Sequence, residues 1–200
     1  NGYLNRSRVS LDYIPRDNNH PYRPAIIFRM AEAYLSYAEA LNESSERMSH
    51  KQEILDNLNK IRHRAGIAEY GTGTDENGFT RIKINFSDQK EVRRLIHKER
   101  RVEFVGEGVR YHDLRRWKTA HYGIGNLNEQ GENPDWGVNG PDYGMNYYGT
   151  EYTDQGDNAF FKRTKYMDRV YPRKFYWYPI HQSEIDKDPT LVQGPFWLGE

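Results

Sequence analysis

The stretch HKERRVEFVGEGVRYHDLRRW, residues 97–117, combines dense charge with the apolar spacing of a buried helix. Ten of its 21 residues carry a formal charge. In a helix over about 89–105, Glu99 and Glu103 fall on the apolar face, since residues three and four apart share one side of a helix. That face consists of Val92, Leu95, Ile96, Glu99, Val102 and Glu103. Because a buried carboxylate is costly unless it is paired, the fold must bring cations to this face.

The charges in this stretch have two interpretations. The one we favour is a structural ion-pair network that joins two helices, since a guanidinium can hold a carboxylate with two hydrogen bonds. Its members are Glu99, Arg100, Arg101, Glu103, Arg110, Asp113, Arg115 and Arg116. The alternative is a catalytic carboxylate pair, as in glycoside hydrolysis. Helical spacing does not set the separation of such a pair across a substrate, and no nucleophile–base partner is visible in the sequence.

Hydrophobic periodicity predicts four helices in the first part of the chain. They cover about 26–43, 50–65, 89–105 and 109–120. The first carries an apolar stripe of Ile27, Met30, Ala31, Tyr34, Ala38 and Leu41, and the second carries Ile54, Leu58, Ile61 and Ala65. Short connections between successive helices predict two αα-hairpins, at about 26–66 and 89–120.

Capping residues mark the ends of these helices. Ser49 and Gln52 have the spacing of a capping box, and Gly66 stands where a glycine commonly ends a helix. Asp88 with Glu91 is suited to begin the third helix. The alternation in residues 79–86, FTRIKINF, predicts a short strand.

Composition excludes several classes of protein. An aromatic content of 14% indicates a folded chain, although hydrophobic residues make up only 36%. Acidic and basic residues balance at 29 each, so no basic nucleic-acid footprint is present. Cysteine is absent, and no apolar run approaches membrane-spanning length. Because the chain opens on Asn1 instead of Met, we expect it to be a piece of a longer protein.

Residues 121–178 differ from the helical part. They hold 14 of the 28 aromatic residues and 8 of the 17 glycines and show no regular period, which predicts a long irregular loop insertion. The tail, 179–200, predicts a short helix after Ser183 that stops before Pro189.

Within the loop, flat aromatic faces and amides suit a sugar ligand. The candidate ligand-binding residues are Trp136, Tyr143, Tyr147, Tyr148, Asn139 and Asn146. The alternative is that these aromatics attach the loop to the helical body.

Four motifs, in this order and spacing, resemble the successive C-terminal signatures of the SusD/RagB family. They are RMAEAYLSYAEALNE at 29–43, LNKIRHRAGI at 58–67, ERRVEFVGEGVRYHDLRRW at 99–117 and YPIHQSEIDKDPTLVQGPFW at 178–197. The chain departs from the family's usual pattern at His181, Asp188 and Gly194, which are loop positions. The family's sugar-contacting residues lie in variable loops, so the motifs transfer none of them.

The resemblance implies a mainly α-helical fold of tetratricopeptide-like hairpins with long irregular loops rich in aromatic residues and glycine. Residues 1–200 would form a single C-terminal region. It further implies a surface-exposed lipoprotein of the cell outer membrane, held there by an N-terminal lipid anchor absent from this chain. Its partners would be a SusC-like, TonB-dependent outer-membrane transporter and an oligosaccharide or other nutrient.

The predicted function is therefore non-catalytic capture of a glycan and its delivery to the transporter. One alternative is a helical protein–protein scaffold without its own small ligand, favoured if the aromatics of 121–178 are buried. The other is a glycosidase that uses carboxylates such as Glu99 or Asp113. We predict no cofactor and no metal site, since DQGDN at 154–158 offers oxygen ligands without the spacing of an EF-hand.

Overall fold

The computed structural model describes residues 26–123, 137–146, 148–152, 156 and 158–198. In this part of the chain, five α-helices accompany one two-stranded sheet, so the predicted mainly α-helical class is confirmed. Two compact units are present, one formed by the described residues of Arg6–Arg110 and the other by those of Tyr111–Glu200. The assignment of the whole chain to a single region stays a prediction.

The elements follow in chain order. The helices are α1 (Met30–Glu43), α2 (Lys51–Ala65), α3 (Gln89–Glu103), α4 (Val109–Arg116) and α5 (Gln182–Lys187). The strands are β1 (Gly140–Met145) and β2 (Arg163–Arg169), and a 3₁₀ turn covers Arg173–Tyr176. The short helix predicted in the tail is therefore confirmed as α5, which ends before Pro189.

Helix α1 begins at Met30, four residues later than predicted. Arg29 has extended backbone angles, φ −143° and ψ 154°, and donates through Nε to Glu107 Oε2 at 2.9 Å. Because the helix begins only after Arg29, Ile27 lies outside it and is 97% exposed. Met30 is exposed as well, so the predicted stripe is wrong at these two positions.

The two ends of α2 differ in how well they were predicted. The prediction of a capping box at Ser49 and Gln52 is wrong, because the N-cap residue is His50 and it makes no side-chain capping bond. Ser49 Oγ instead donates to Glu46 O at 2.7 Å. At the other end Gly66 is confirmed as the terminating residue, with φ +67°. Its N–H donates to His63 O, and the next N–H donates back to the last turn, which is the Schellman arrangement.

Three helices build the core of the first unit. Helix α3 begins at the predicted cap, where Asp88 accepts hydrogen bonds from the N–H groups of Lys90 and Glu91. We expected α3 to pair with the helix that follows it; its packing within this unit is against α1 and, to a smaller extent, α2. Fully buried apolar side chains come from all three helices: Leu35, Ile54, Leu58, Val92 and Ile96.

The strand predicted at 79–86 does not form. This segment makes only isolated bridges, Tyr70 with Ile82 and Thr74 with Thr80. The turn before it is built on Asp75, whose Oδ1 accepts from Asn77 N at 3.0 Å and Phe79 N at 2.8 Å. Side-chain bonds of this kind shape the loop in place of a regular ladder.

Helix α4 stops at Arg116, earlier than the predicted end near residue 120. Lys118 adopts a left-handed conformation, with φ +56°. Lys118 N donates to Arg115 O at 3.2 Å, and Thr119 N donates to Leu114 O at 3.0 Å. Lys118 therefore holds the position in a Schellman motif that glycine usually takes, at the conformational cost of a side chain with positive φ.

The loop predicted over 121–178 contains a β-hairpin, which corrects that prediction. Strand β1 pairs antiparallel with β2, from Gly140 opposite Arg169 to Met145 opposite Arg163, with an irregularity after Asp142. Strand β2 is exposed along nearly its whole length. Because neither face of this strand is buried, its sequence shows no alternation of apolar and polar residues that would have revealed it.

Relieving the strain at the end of α4 should stabilise the chain. We expect Lys118→Gly to raise the free energy of unfolding by about 0.5–1 kcal/mol, because glycine adopts positive φ without a steric penalty. The reverse substitution Gly66→Ala, at φ +67° and with no atom within 4 Å of the added Cβ, is the matched control and should destabilise by about the same amount. Urea denaturation measures both, and destabilisation by Lys118→Gly would contradict this account.

Candidate functional site

The carboxylate that the helical pattern placed on the apolar face, Glu99, is 6% exposed. Its Oε1 accepts hydrogen bonds from Arg62 Nη1 at 2.5 Å and from Tyr70 Oη at 2.7 Å. The Arg62 guanidinium lies 4.3 Å from the centre of the Tyr70 ring. Burial, and next the negative charge of Glu99, raise the pKa of Tyr70, so this phenol remains a hydrogen-bond donor. The carboxylate is enclosed by partners.

The partners of buried Glu99 and half-buried Glu103 come from other elements than predicted. Glu99 pairs with Arg62 of α2, and Glu103 pairs with Arg29 and Arg64. The expected partners were arginines of α3 and α4. Side chains on one helix diverge from its axis, whereas a packed neighbouring helix projects its side chains towards the shared face.

The other members of the predicted network have separate surroundings. Arg100 is buried and donates through Nη1 to Ser36 Oγ at 3.0 Å. Asp113 is buried and accepts from Arg116 Nε at 3.0 Å. Arg101 is exposed on α3, and Arg110 is half-buried on α4.

Arg115 joins α4 to the segment after β2, and its hydrogen bonds within the described part of the chain reach no carboxylate. Its Nη1 donates to Phe175 O at 2.7 Å and to Tyr111 Oη at 3.0 Å, and its Nη2 donates to Tyr176 O at 2.6 Å. A weaker bond reaches Tyr171 Oη at 3.3 Å. All of these acceptors are uncharged, so the positive charge of Arg115 is held without being neutralised.

Two of the predicted aromatic residues, Trp136 and Tyr147, lie outside the described residues. Tyr143 lies in β1 and is half-buried, with the Arg163 guanidinium 4.2 Å from the centre of its ring. Tyr148 follows β1 and is 80% exposed. Tyr148 therefore exposes a larger fraction of its side chain to solvent than Tyr143 does.

The two predicted amides hold the backbone. Asn139 donates through Nδ2 to His121 O at 2.7 Å, and its Oδ1 accepts from Tyr171 N. Asn146 donates through Nδ2 to Ala159 O at 3.2 Å, and its Oδ1 accepts from Tyr148 N at 3.2 Å. Their role in ligand contact stays a prediction, and the structure gives each of them a role in shaping the loop.

The connection between β1 and β2 carries three further aromatics, Tyr152, Phe160 and Phe161, called here the tip cluster. The Tyr152 ring centre lies 5.8 Å from that of Phe160 and 6.4 Å from that of Phe161. Tyr152 is 86% exposed. Nothing in the sequence singled out these three residues, because the hairpin that brings 152 next to 160 was not predicted.

The tip cluster rests on a close approach of two backbone segments. Phe160 N donates to Glu151 O at 2.7 Å, and Glu151 forms a bridge with Ala159. A Cβ added at Gly149 would lie 2.4 Å from Phe160 N. Only a residue without a side chain fits there, so the position of the cluster depends on Gly149.

A cavity of about 490 Å³ lies beside the end of α4 and is called here the α4 pocket. Its walls are His112, Arg115, Arg116, Lys118, Tyr176 and Trp177. Tyr176 also bonds His121, with Oη 2.9 Å from His121 Nδ1. Burial, and next the charge of Arg173, lower the pKa of His121.

The first unit has its own groove, of about 820 Å³, along α2 and the loop after it. Its lining includes Tyr34, Lys60, Glu69, Arg81 and Phe86. Lys60 Nζ lies 4.4 Å from the centre of the Tyr34 ring, and Arg81 pairs with Glu69 at 2.8 Å. Charged side chains thus cover or pair with much of this lining.

The described residues offer neither a metal-binding cluster nor a helix suited to span a membrane. No group of three or more His, Cys, Asp or Glu residues in this part of the chain is placed to hold a metal ion. No helix described here is both long enough and apolar enough to cross a membrane. Most of the DQGDN segment considered for calcium lies outside the described residues.

Comparison with known proteins places the chain in a family. The SusD family model matches residues 1–197, and the chain belongs to the SusD family. SusD-like protein P25 of Formosa agariphila is 32% identical over 109 residues, which cover 54% of this chain and 18% of that protein. SusD-like protein P38 of the same organism is 32% identical over 103 residues, covering 52% and 19%.

Two solved structures share the fold. The selenomethionine form of BT4246 superposes with a TM-score of 0.55 and 28% identity, covering 88% of this chain and 25% of that one. A SusD-like protein of Bacteroides fragilis, BF3747, superposes with a TM-score of 0.54 and 27% identity, covering 86% and 26%. The predicted tetratricopeptide-like helical fold is thereby confirmed.

The chain spans less than a fifth of the length of the curated relatives it matches. Proteins of the SusD family are generally non-catalytic glycan-binding proteins. They are outer-membrane surface lipoproteins and generally work with TonB-dependent transporters.

The buried pair should be a major source of stability. We expect Glu99→Ala to lower the free energy of unfolding by about 3–5 kcal/mol, because it leaves Arg62 buried without its carboxylate. Glu43→Ala, which removes an exposed ion pair with Arg93, is the control and should cost about 1 kcal/mol or less. Urea denaturation compares the two, and equal losses would contradict a structural role for Glu99.

The close approach at the tip can be tested by hydrogen exchange. We expect Gly149→Ala to speed exchange of the Phe160 amide, because the added Cβ forces apart the backbones that bury it. The matched control is Gly73→Ala in the other unit, where nothing lies within 4 Å of the added Cβ. Unchanged Phe160 exchange in Gly149→Ala would show that the two backbones do not approach as described.

Proposed function

We propose that this chain is part of a non-catalytic glycan-binding protein at the cell surface. In this proposal the protein captures an oligosaccharide and delivers it to a TonB-dependent outer-membrane transporter. Membership of the SusD family supports the class of function and the kind of partner. The capture step would use aromatic faces and hydroxyl hydrogen bonds, with no covalent chemistry.

The observation that carries the proposal is the exposed aromatic surface on the connection between β1 and β2. It consists of the exposed rings of Tyr148, Tyr152 and Phe161, with the half-buried Phe160 packed against Tyr152 and Phe161. An aromatic face attracts the C–H groups of a pyranose ring, and exposed tyrosine adds a hydroxyl at its edge. Exposed aromatics at this density are unusual on a surface that binds nothing.

The same exposure weighs against a scaffold without its own ligand. That alternative would be favoured by burial of the aromatics in 121–178. None of the aromatic side chains described in this range is buried. A surface that keeps them accessible fits ligand capture better than attachment of the loop to a helical body.

Burial of the acidic side chains supports a function without catalysis. Glu99 is enclosed by Arg62 and Tyr70, and Asp113 is 3% exposed and bonded to Arg116. A catalytic acid or nucleophile must reach its substrate within hydrogen-bonding distance. Neither of these two carboxylates can do so in this arrangement.

Binding measurements test the proposal. Isothermal titration of the chain with a panel of oligosaccharides should identify a ligand, with no shorter products released. Tyr152→Ala should weaken that binding about fivefold to tenfold, because one stacking face is lost. Tyr148→Ala should act in the same direction.

The control is Tyr37→Ala, which removes an equally large exposed ring from α1 in the other unit. This variant should bind as the unaltered chain does. Equal affinity of Tyr152→Ala, Tyr148→Ala and the unaltered chain would contradict the role of the tip. Release of shorter products would contradict the non-catalytic proposal. Trp136 stays a candidate platform from the sequence, outside the described residues.

A further inference from the structure

Charge in this protein is unevenly placed. The chain as a whole is neutral, with 29 basic and 29 acidic side chains. In the second unit, the segments 111–123 and 171–178 come together through Arg115, whose guanidinium bonds the carbonyls of Phe175 and Tyr176. These segments hold five basic side chains, Arg115, Arg116, Lys118, Arg173 and Lys174, against a single carboxylate, Asp113. The region therefore carries a net charge of +4.

The single carboxylate does not neutralise the wall of the α4 pocket. Asp113 is buried and is bonded to Arg116. Arg115 bonds only uncharged oxygens, and Lys118 makes no ion pair with any described carboxylate. Arg115 and Lys118 thus place two positive charges on the pocket wall, and no described carboxylate pairs with either of them. An arrangement of this kind raises the local concentration of anions.

The backbone adds a second, independent observation. Lys118 is one of two residues other than glycine with positive φ in the described chain, at +56°. The position closes the Schellman motif of α4, where glycine would be less strained. Unfavourable backbone conformations concentrate at functional sites, where a particular side chain is needed. Lys118, which adopts this conformation, contributes a cationic side chain to the wall of the pocket.

The pocket wall also offers aromatic surface. Trp177 and Tyr176 line it, and Trp177 is 39% exposed. The Tyr176 and Trp177 rings meet edge to face, with centres 5.9 Å apart. The volume of about 490 Å³ lies within the range of about 300–1,000 Å³ typical of small-ligand sites.

We propose that the α4 pocket binds the acidic group of an anionic saccharide, a carboxylate or sulfate carried on a sugar ring. Lys118 and Arg115 supply the positive charge, and Trp177 supplies an apolar face for the ring. The chain would then prefer acidic glycans to neutral ones of the same length. This inference rests on the proposed function only in taking the ligand to be a saccharide, and it concerns a different surface from the tip cluster.

The main alternative ligand for the cations of this pocket is a membrane surface with anionic headgroups. The pocket is an open depression with an aromatic wall, which suits a single ring with an acidic substituent. A bilayer of anionic headgroups is contacted by an exposed cluster of lysines and arginines and needs no cavity. The geometry therefore favours the saccharide, and vesicles enter as one arm of the test.

The test compares two ligands that differ only in charge: tri-galacturonate and the same trisaccharide with all carboxyls methyl-esterified. Isothermal titration with the full chain at low salt should give tighter binding of the acidic form. Lys118→Gln should weaken binding of the acidic form about fivefold or more and leave the ester unaffected. Lys118→Arg should restore it. Raising the salt concentration should weaken binding of the acidic form, since exposed charges are screened.

The matched control is Lys165→Gln, which removes an exposed lysine of β2 from the same unit. It should bind tri-galacturonate as the unaltered chain does. Equal losses in both glutamine variants, or equal affinity for the acid and its ester, would overturn the proposal. So would binding of phosphatidylglycerol vesicles that depends on Lys118 while tri-galacturonate does not bind.

The two proposals fail separately. Binding of neutral oligosaccharides that depends on Tyr152, without preference for the acid, would leave the proposed function standing and reject the α4 pocket. Binding of the acid that depends on Lys118 but not on Tyr152 would support the pocket and reject the tip. Thermal unfolding of each variant shows whether a loss of binding reflects unfolding.

Discussion

The contact of Glu99 with Arg62 and Tyr70 is the interaction on which the helical unit depends. It lies at the meeting point of α3, α2 and the loop that follows α2. A buried carboxylate tolerates few alternative arrangements, because each loss of a partner leaves an uncompensated charge. The apolar side chains of three helices supply most of the burial, and this pair links α2 to α3 inside the core. The dense charge of residues 97–117 is thereby explained as part of the fold.

The buried charged residues stabilise the fold, and other residues are proposed to bind the ligand. Glu99 and Asp113, the carboxylates considered for catalysis, are enclosed, and the two surfaces proposed to bind a ligand are aromatic or cationic. The tip cluster lies on the connection of a hairpin, and the α4 pocket lies at the end of a helix. Both are places where the backbone is constrained, by Gly149 in one case and by Lys118 in the other. The two proposed binding surfaces thus lie on strained or crowded loops supported by regular structure.

Local patterns predicted the helices well, because burial of one helical face leaves a period in the sequence. Asp88 and Gly66 were identified as helix ends from their own chemistry. The start of α1 was missed, since Arg29 is itself extended and bonds Glu107, a partner distant in sequence that no local pattern reveals. The β-hairpin was missed because β2 buries neither face. The tip cluster depends on that hairpin, so no local signal pointed to it.

The sequence by itself determined the family, the helical class and the presence of buried charge, since all three follow from the types of residue and their spacing along the chain. Only the tertiary structure decided that Arg62 from another helix, and not an arginine of α3 or α4, pairs with Glu99. It also decided that Tyr152 lies beside Phe160, and that Lys118 and Trp177 line one pocket. Spacing along a chain defines which side of an element a residue occupies. Which elements face one another is set by the packing of the whole, where each buried group must find its partner.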